Sequence, residues 1–459
     1  MKTNFIMMAD SYKYGHFKQY PKQMNYMRDY IASRKGEVIF TGLQYYLKEY
    51  LSKPITKEMI DEAYEFAKKH GIDFNIDGWN YILKNHNGYL PVRIKALPEG
   101  TKVKENVPII VVESTDNNVA WVVGWVETLL MKIWYPTTIT TKSKQVYDVL
   151  VKYGDKEWAK FAYHNFGDRS MSSVESASIA GFAHNCVFLG TDNFHSLKFC
   201  KDYYNSDISA FSVFATEHST TTSQAQLVGE IEFVKQMLIE NKDAPIVSFV
   251  ADSYDVFKFT DEVTKIDGDV RKIIESRNQK FVIRPDSGDP IEVLTKMFDI
   301  MERNRVFDKK INGKKLSSKY GVLWGDGIDI NVIDKILKVF TEKGYAAENF
   351  VFGSGTRIGQ TGLDRDTYSF AMKCSYIEYE DEKGYSQGLD VFKDPITDKR
   401  KSSLKGKVVS VKDKNSGEII CIDERKFDKN RHELIMDVVF ENGKILKETT
   451  LDEIRKRIV

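Results

Sequence analysis

The sequence predicts an α/β fold built on a (β/α) barrel, with a mixed, strand-rich region formed by both chain ends. Three observations carry this. Seven short apolar runs recur in the middle of the chain: FAYHNFG (161–167), VFLGTDN (187–193), FSVFATEHS (211–219), PIVSFVADS (245–253), KFVIRPDSG (280–288), YGVLWGDG (320–327) and NFVFGSG (349–355). Helical patterns such as GEIEFVKQMLIEN (229–241) and INVIDKILKVFTEKG (330–344) fill most of the gaps, and strands alternating with helices make a parallel sheet. The spacing fits: Asp252 to Asp286 is 34 residues and Asp286 to Asp326 is 40, against roughly 30 or more for one βαβ unit. With no dinucleotide-type glycine fingerprint after the first run, a barrel is favoured over an open sheet.

The flanks read differently. EVIFTGLQYYLKEYL (37–51) has helical spacing, and LPVRIKALPEGTKVKENVPIIVVES (90–114) reads as short strands broken at Pro-Glu-Gly and Glu-Asn. VAWVVGWVETLLMKIWY (119–135) is the most apolar stretch but carries Glu127 and Lys132. It reads as a buried helix, since a membrane span needs about 20 apolar residues. Near the C-terminus GKVVSVKDKNSGEIICI (406–422) reads as a hairpin. IMDVVFENGKILKETT (435–450) places Asn442-Gly443 between alternating runs, a strong hairpin signal. The expected domains are a barrel over 146–372 and a mixed, β-rich domain made of 1–145 together with 373–459.

Composition narrows the function. A chain of 459 residues is too long for one core. Its 67 basic and 66 acidic residues give a net charge of +1, without the basic footprint of a nucleic-acid binder. The four cysteines are far apart with no Cys-x-x-Cys, which suits a reducing compartment and argues against structural zinc. The N-terminus MKTNFIMMADSYKYGH turns polar too early for a signal peptide. The expectation is a cytoplasmic protein with no membrane or nucleic-acid partner.

Each apolar run ends in polar or glycine residues: Phe166 and Arg169; Asp192; Glu217 and His218; Asp252; Arg284 and Asp286; Gly325 and Asp326; Gly353-Ser354-Gly355. In a barrel these ends share one rim, where active sites are built. Glycine turns with free N–H groups cradle phosphate. Ser172 with Glu175 reads as a capping box beside Arg169. Clustered aspartates beside phosphate sites suit Mg²⁺, which takes one or two carboxylates plus substrate oxygens. No residue is assigned as a metal ligand, the ion being held mainly by substrate phosphates. The residues therefore point to a phosphorylated, Mg²⁺-bound substrate.

Blander roles compete. A single strand-end Asp is more often a turn former or N-cap than a catalyst. Asp289 reads as an N-cap, with Pro290 at the first helical position, Glu292 closing a capping box, and apolar spacing through Ile291, Leu294, Met297, Phe298 and Met301. GDGIDIN (325–331) lacks the calcium-loop spacing, and His164 and His184 read as structural. No Gly-x-Ser-x-Gly, His-Glu-x-x-His or Walker loop is present.

DSYKYGHFKQYP (10–21), FGDRSMSS (166–173), GTDN (190–193), EHST (217–220), DSYD (252–255), IRPDSGDP (283–290), GDGIDIN (325–331), FGSG (352–355), KCSY (373–376) and VFKDP (391–395) occur in that order. Together they resemble the nicotinamide phosphoribosyltransferases of the type II phosphoribosyltransferase family. GTDN and IRPDSG are the specific motifs. The resemblance implies an incomplete α/β barrel packed on a β-rich domain, and a head-to-tail homodimer with shared active sites. It implies transfer of the ribosyl 5-phosphate of phosphoribosyl pyrophosphate to nicotinamide, giving nicotinamide mononucleotide and pyrophosphate, with Mg²⁺ and with ATP as co-substrate.

By motif, Phe166 and Tyr12 of a second copy would sandwich the nicotinamide ring, with Asp10 beside Tyr12. Asp192 would accept from the carboxamide, and Arg284 would lie at its edge. Asp286 would serve the sugar and reactive centre. Asp252 and Asp286 would flank His218, the histidine that ATP phosphorylates. Arg169, Arg365, Lys373 and Lys393, with Arg34 and Lys35 from a second copy, match the phosphate clamp, while Gly325, Asp326 and Gly355 would hold the ribose and its phosphate. Two departures mark this chain. The segment after Lys35 is short, and the run after FGSG reads TRIGQTG, poorer in glycine than the family pattern. The rival readings are a nicotinate phosphoribosyltransferase, disfavoured by a carboxylate at Asp192, and a non-catalytic nucleotide-binding barrel, which would be expected to lose some of His218, Asp252, Asp286 and Arg284.

Overall fold

The seven apolar runs are seven parallel strands of one sheet. In spatial order they are Gly190–Thr191, Tyr163–Asn165, Phe350–Ser354, Tyr320–Trp324, Lys280–Arg284, Ile246–Val250 and Phe214–Ala215. The two edge strands are joined through a single bridge, Gly190 to Phe211, just ahead of the Phe214–Ala215 strand. The result is an α/β barrel left incomplete at that seam. The structure, a computed structural model, describes residues 4–398 and 401–458. The chain forms two compact units, Lys142–Phe199 with Asp207–Thr361, and Met1–Thr141 with Cys200–Ser206 and Gly362–Val459.

The barrel belongs to the first of these units. Its strands are covered by helices with one apolar stripe. In Ile330–Glu342 the buried residues are Ile333, Ile336, Leu337 and Phe340, the spacing of one helical face. Pro290–Arg303 buries Leu294, Met297, Phe298 and Met301, whereas Ile291 stays half-exposed.

Three consecutive strand-to-helix loops repeat one local design, Asp-x-x-Asp. The first aspartate (Asp252, Asp286, Asp326) stands two residues beyond its strand. The second (Asp255, Asp289, Asp329) is the N-cap of the next helix. Each cap uses its Oδ1 twice, accepting from Phe257 and Lys258, from Ile291 and Glu292, and from Asn331 and Val332. The second aspartates thus quench orphan N–H groups, and the first are left for the rim. Pro290 sits at the start of its helix as expected. The expected reciprocal bond, from the Asp289 N–H to the Glu292 carboxylate, is not among the bonds that cap this helix.

Two other expectations are corrected here. The cap beside Arg169 is Ser173, not Ser172, and its reciprocal partner is Ser176, not Glu175. Ser173 is the residue with extended backbone, and the short Ser176 hydroxyl reaches back to its N–H at 2.9 Å. The apolar stretch 119–135 is several short helical turns rather than one helix, Val122–Trp125, Glu127–Leu130 and Met131–Ile133, before the longer Trp134–Leu150 helix. It opens with three-residue bonds from Val122, Val123 and Gly124 to Val119, Ala120 and Trp121, the tighter 3₁₀ turn. None of the helices among the described residues is long and apolar enough to cross a membrane.

The second unit is strand-rich. Its largest sheet is antiparallel, in the order Ser386–Asp390, Ala371–Glu380, Met24–Ala32, Ile110–Ser114, Val92–Ala96, Asp437–Glu441 and Lys444–Ile445. Asn442 and Gly443 both have positive φ, 49° and 83°, the backbone of the two-residue hairpin their sequence predicts. The other predicted hairpin pairs Val408–Asp413 with Ile419–Asp423. Within 37–51, Val38–Ile39 is a strand and helix begins only at Leu43, after Gly42 turns the chain with φ of 97°. Arg28 is buried and ion-paired to Glu113 at 2.8 Å and Glu424 at 2.5 Å.

Removing a cap while keeping the fold tests the division of labour in these loops. Asp289→Ala should cost about 1 kcal/mol in chemical denaturation, and Asp289→Asn, which keeps the acceptor, should stay near wild type.

Candidate active site

Strand register puts the rim residues at matching heights. Asn165 pairs with both Thr191 and Ser354. The residues one step beyond, Phe166, Asp192 and Gly355, therefore emerge side by side. Arg284 pairs with Val250, so Asp286 and Asp252, each two residues on, also share a level. One cavity at this end of the sheet is lined by Phe166, Arg169, Asp192, Glu217, His218, Arg284, Asp286, Gly325, Asp326 and Gly355. Asp252 stands behind His218.

The Phe166 ring folds over the backbone of the neighbouring strand. A Cβ on Gly353 would lie 1.9 Å from Phe166 Cε2, so only glycine leaves the ring its place. Gly325 is similarly close to Asp286, where a Cβ would be 3.1 Å from Oδ1. Asp192 accepts a 2.6 Å hydrogen bond from the Ser212 hydroxyl through Oδ1. Arg284 Nη2 lies 4.0 Å from Asp286 Oδ2, and its Nε is a buried donor with no partner among the described residues.

His218 opens the His218–Val228 helix, capped by Glu217. Its Nε2 is 3.0 Å from Asp252 Oδ1, and Asp252 Oδ2 accepts from the Ser287 hydroxyl at 2.6 Å. Burial pushes the Asp252 carboxyl up, but the bonds from Ser287 and His218 outweigh it and hold it below the usual carboxylate range. An ionised Asp252 makes Nε2 the protonated nitrogen and leaves the lone pair on Nδ1. Asp286 goes the other way. Burial raises it, with Asp252 and Asp326 adding to the rise against the pull of Arg284 and His218. His164 and His184 are buried and depressed by burial, His184 to about 3, and His184 Nε2 lies 3.2 Å from the Gly190 carbonyl. Both are structural.

The remaining expected residues belong to the strand-rich unit. Asp10 is joined to the Thr128 hydroxyl at 3.1 Å, and Tyr12 is 60% exposed. Arg34 donates from Nε to the Ser369 carbonyl, and Lys35 is exposed. Arg365 pairs with Asp366 at 2.9 Å. Lys373 lies on the Ala371–Glu380 strand, where burial lowers its pKa. The Lys393 backbone N–H donates to the Ser403 hydroxyl.

Among the residues lining the cavity that escaped the sequence reading are Asp168, Ser170, Thr356 and Arg357. Arg357 had a usable signal. It follows its strand at nearly the distance that singled out Asp252 and Asp286, but the reading stopped at the glycines. Among the described residues no group of three or more His, Cys, Asp or Glu is arranged to hold a metal.

Residues 161–443 match the nicotinate phosphoribosyltransferase (NAPRTase) family, and residues 4–94 match the N-terminal domain of nicotinamide phosphoribosyltransferase. The chain is 36% identical over 466 residues to the nicotinamide phosphoribosyltransferase of Xanthomonas campestris pv. campestris (strain 8004), covering 98% of this chain and 97% of that one. The protein of that name from Acinetobacter baylyi (strain ATCC 33305 / BD413 / ADP1) is 28% identical over 501 residues, covering 100% and 97%. Nicotinate-nucleotide pyrophosphorylase from Pyrococcus furiosus superimposes with a TM-score of 0.63 at 14% identity, over 99% and 94% of the chains. Human nicotinic acid phosphoribosyltransferase does so with 0.56 at 12%, over 98% and 93%. At those identities the likeness is one of fold.

The electrostatics of the rim can be tested by titrating Asp286 with carbon-13 NMR of Asp-labelled protein. Arg284→Gln removes a stabilising cation and should move the titration to higher pH. Asp252→Asn removes a repelling carboxylate and should move it to lower pH. Because folding raises this pKa, Asp286's contribution to stability is present below the unfolded carboxylate's pKa and is lost as pH rises through the folded one.

Proposed function

The chain belongs to the nicotinate phosphoribosyltransferase (NAPRTase) family, and from that premise we propose that it makes nicotinamide mononucleotide. The reaction transfers the 5-phosphoribosyl group of phosphoribosyl pyrophosphate to the ring nitrogen of nicotinamide and releases pyrophosphate. The observation that carries the choice of base is a pair of groups that line the same cavity as Phe166. A primary amide offers both a donor and an acceptor. Asp192, with one oxygen bound to Ser212, has the other for the amide NH₂, and Arg284 has an unpartnered buried Nε–H for an acceptor. Nicotinate would set its carboxylate against Asp192. Sites built to pair an N–H can reject the analogue lacking it by about 10⁴–10⁵-fold.

The chemistry follows from charge. As the nitrogen bonds C1 of the ribose and the bond from C1 to pyrophosphate breaks, the sugar passes through an oxocarbenium-like state and the base becomes a pyridinium. The Phe166 face stabilises the cationic ring, with Tyr12 of a second copy as the opposing face in a homodimer. The Asp286 carboxylate, beside the sugar, stabilises the developing positive charge. Both interactions strengthen toward the transition state, which is how binding becomes rate. Mg²⁺ would be held mainly by substrate phosphate oxygens together with one or two rim carboxylates, where it neutralises the leaving pyrophosphate.

His218 supplies the coupling to ATP. Its Nδ1 lone pair attacks the terminal phosphorus of ATP, the N–P bond forms as the bridging P–O bond breaks, and ADP leaves. Water then releases phosphate from the histidine. Asp252 and Ser287 hold the ring during both steps. Arg169 begins the phosphate clamp on the barrel rim; Arg365, Lys373 and Lys393, with Arg34 and Lys35 of a second copy, are the further clamp residues that the family motif names.

Product formation from phosphoribosyl pyrophosphate with nicotinamide or nicotinate, each with and without ATP in Mg²⁺, tests the reading. The expected result is mononucleotide from nicotinamide, stimulated by ATP in the wild type and indifferent to it in His218→Ala. Product mainly from nicotinate would overturn the assignment of Asp192; with nicotinamide preferred, Asp192→Ser should relax the preference. Gly353→Ala should push Phe166 aside at a cost of about 1–3 kcal/mol, raising the KM for nicotinamide about tenfold or more, while affinity for pyrophosphate is retained.

A further inference from the structure

The cavity is anionic before any substrate enters. Among the described residues lining it, Asp168, Asp192, Glu217, Asp286 and Asp326 face Arg169, Arg284 and Arg357 as the fixed cations. Arg284 is drawn toward Asp286. That leaves Arg169 and Arg357 as the other lining cations for a phosphate dianion.

Those two stand on loops that touch at one glycine. Ser170, next to Arg169, has its hydroxyl 3.3 Å from where a Cβ on Gly355 would stand, so the 168–170 turn rests on the Gly355 backbone. Arg357 lies two residues past that glycine, in the stretch where this chain has Thr-Arg in place of further glycine. Its guanidinium is held loosely: Nη1 is 3.5 Å from Asp329 Oδ2, and the side chain is 47% exposed. Asp329 spends its other oxygen on the helix cap. A half-exposed pair at that distance is weak, and it leaves most of the planar donor fork for a second anion.

We infer that Arg357 is a specificity-determining residue of this chain, binding the 5-phosphate of the phosphoribosyl group opposite Arg169 and Ser170 over Gly355. The inference rests on the phosphoribosyl transfer proposed above. Where a glycine-rich turn would hold phosphate by backbone N–H groups alone, this chain adds a charged fork.

Calorimetric binding of nicotinamide mononucleotide, nicotinamide riboside and pyrophosphate to the wild type, Arg357→Ala and Arg357→Lys separates the possibilities. The riboside lacks only the phosphate and serves as the control for an intact base and sugar site. Arg357→Ala is expected to weaken mononucleotide binding by about 10- to 100-fold and to leave the riboside unchanged. Arg357→Lys, which keeps charge without the fork, should fall between. Equal losses for riboside and mononucleotide, no loss for either, or a loss confined to pyrophosphate would each overturn the assignment. Wild-type protein that binds neither mononucleotide nor phosphoribosyl pyrophosphate would overturn the transfer reading itself and this inference with it.

Discussion

The in-phase pairing of short parallel strands is the constraint on which the site depends. Asn165 meets Thr191 on one side and Ser354 on the other, and from that alone Phe166, Asp192 and Gly355 become neighbours. A slip of one residue would turn alternate side chains to the opposite face. The strands are too short to resist a slip by hydrogen bonds alone, since Gly190–Thr191 and Phe214–Ala215 are two residues each. Rings pressed onto glycines supply the missing specification. Phe166 lies against Gly353, and His164 lies against Gly190, where a Cβ would come within 2.5 Å of Cδ2. Each contact fits one register only, so the packing that fixes the sheet also sets the aromatic face of the cavity.

Electrostatics complete the picture. The rim carries more carboxylates than arginines, and at Asp286 burial raises the carboxyl's pKa with the neighbouring Asp252 and Asp326 adding to the rise. On the proposed reaction the imbalance is useful. Positive charge develops on sugar and base while the anions of the substrate are held by guanidinium groups at its periphery. A site of this kind is poorly matched to its empty state and better matched to the reacting complex, the condition under which binding energy accelerates chemistry.

The barrel was legible because its signal is repetitive. Seven apolar runs separated by helical patterns become seven strands, and the polar ends of six of them line one cavity, with Asp252 of the seventh bonded to His218. What the sequence concealed was local. Ser172 and Ser173 are chemically alike, and which of them caps depends on which adopts the extended backbone. The 119–135 stretch looks like a single helix because hydrophobicity is insensitive to whether turns close after three residues or four. Arg357 was missed because a glycine-ended strand reads as a backbone phosphate turn, and attention to the glycines hides the side chain beyond them.

The three Asp-x-x-Asp loops explain why the motif IRPDSGDP mixes chemistry with structure. Residue type does not separate Asp286 from Asp289; position does. A carboxylate two residues past its strand still points along the barrel axis toward the rim, whereas one three residues further meets the unpaired N–H groups of the next helix and is consumed by them. The cap has one oxygen committed twice over; the rim carboxylate pays for its freedom with a raised pKa. The same cap at 255 and at 329 anchors the loops that carry Asp252 and Asp326, so in each the capping aspartate fixes where the first carboxylate stands.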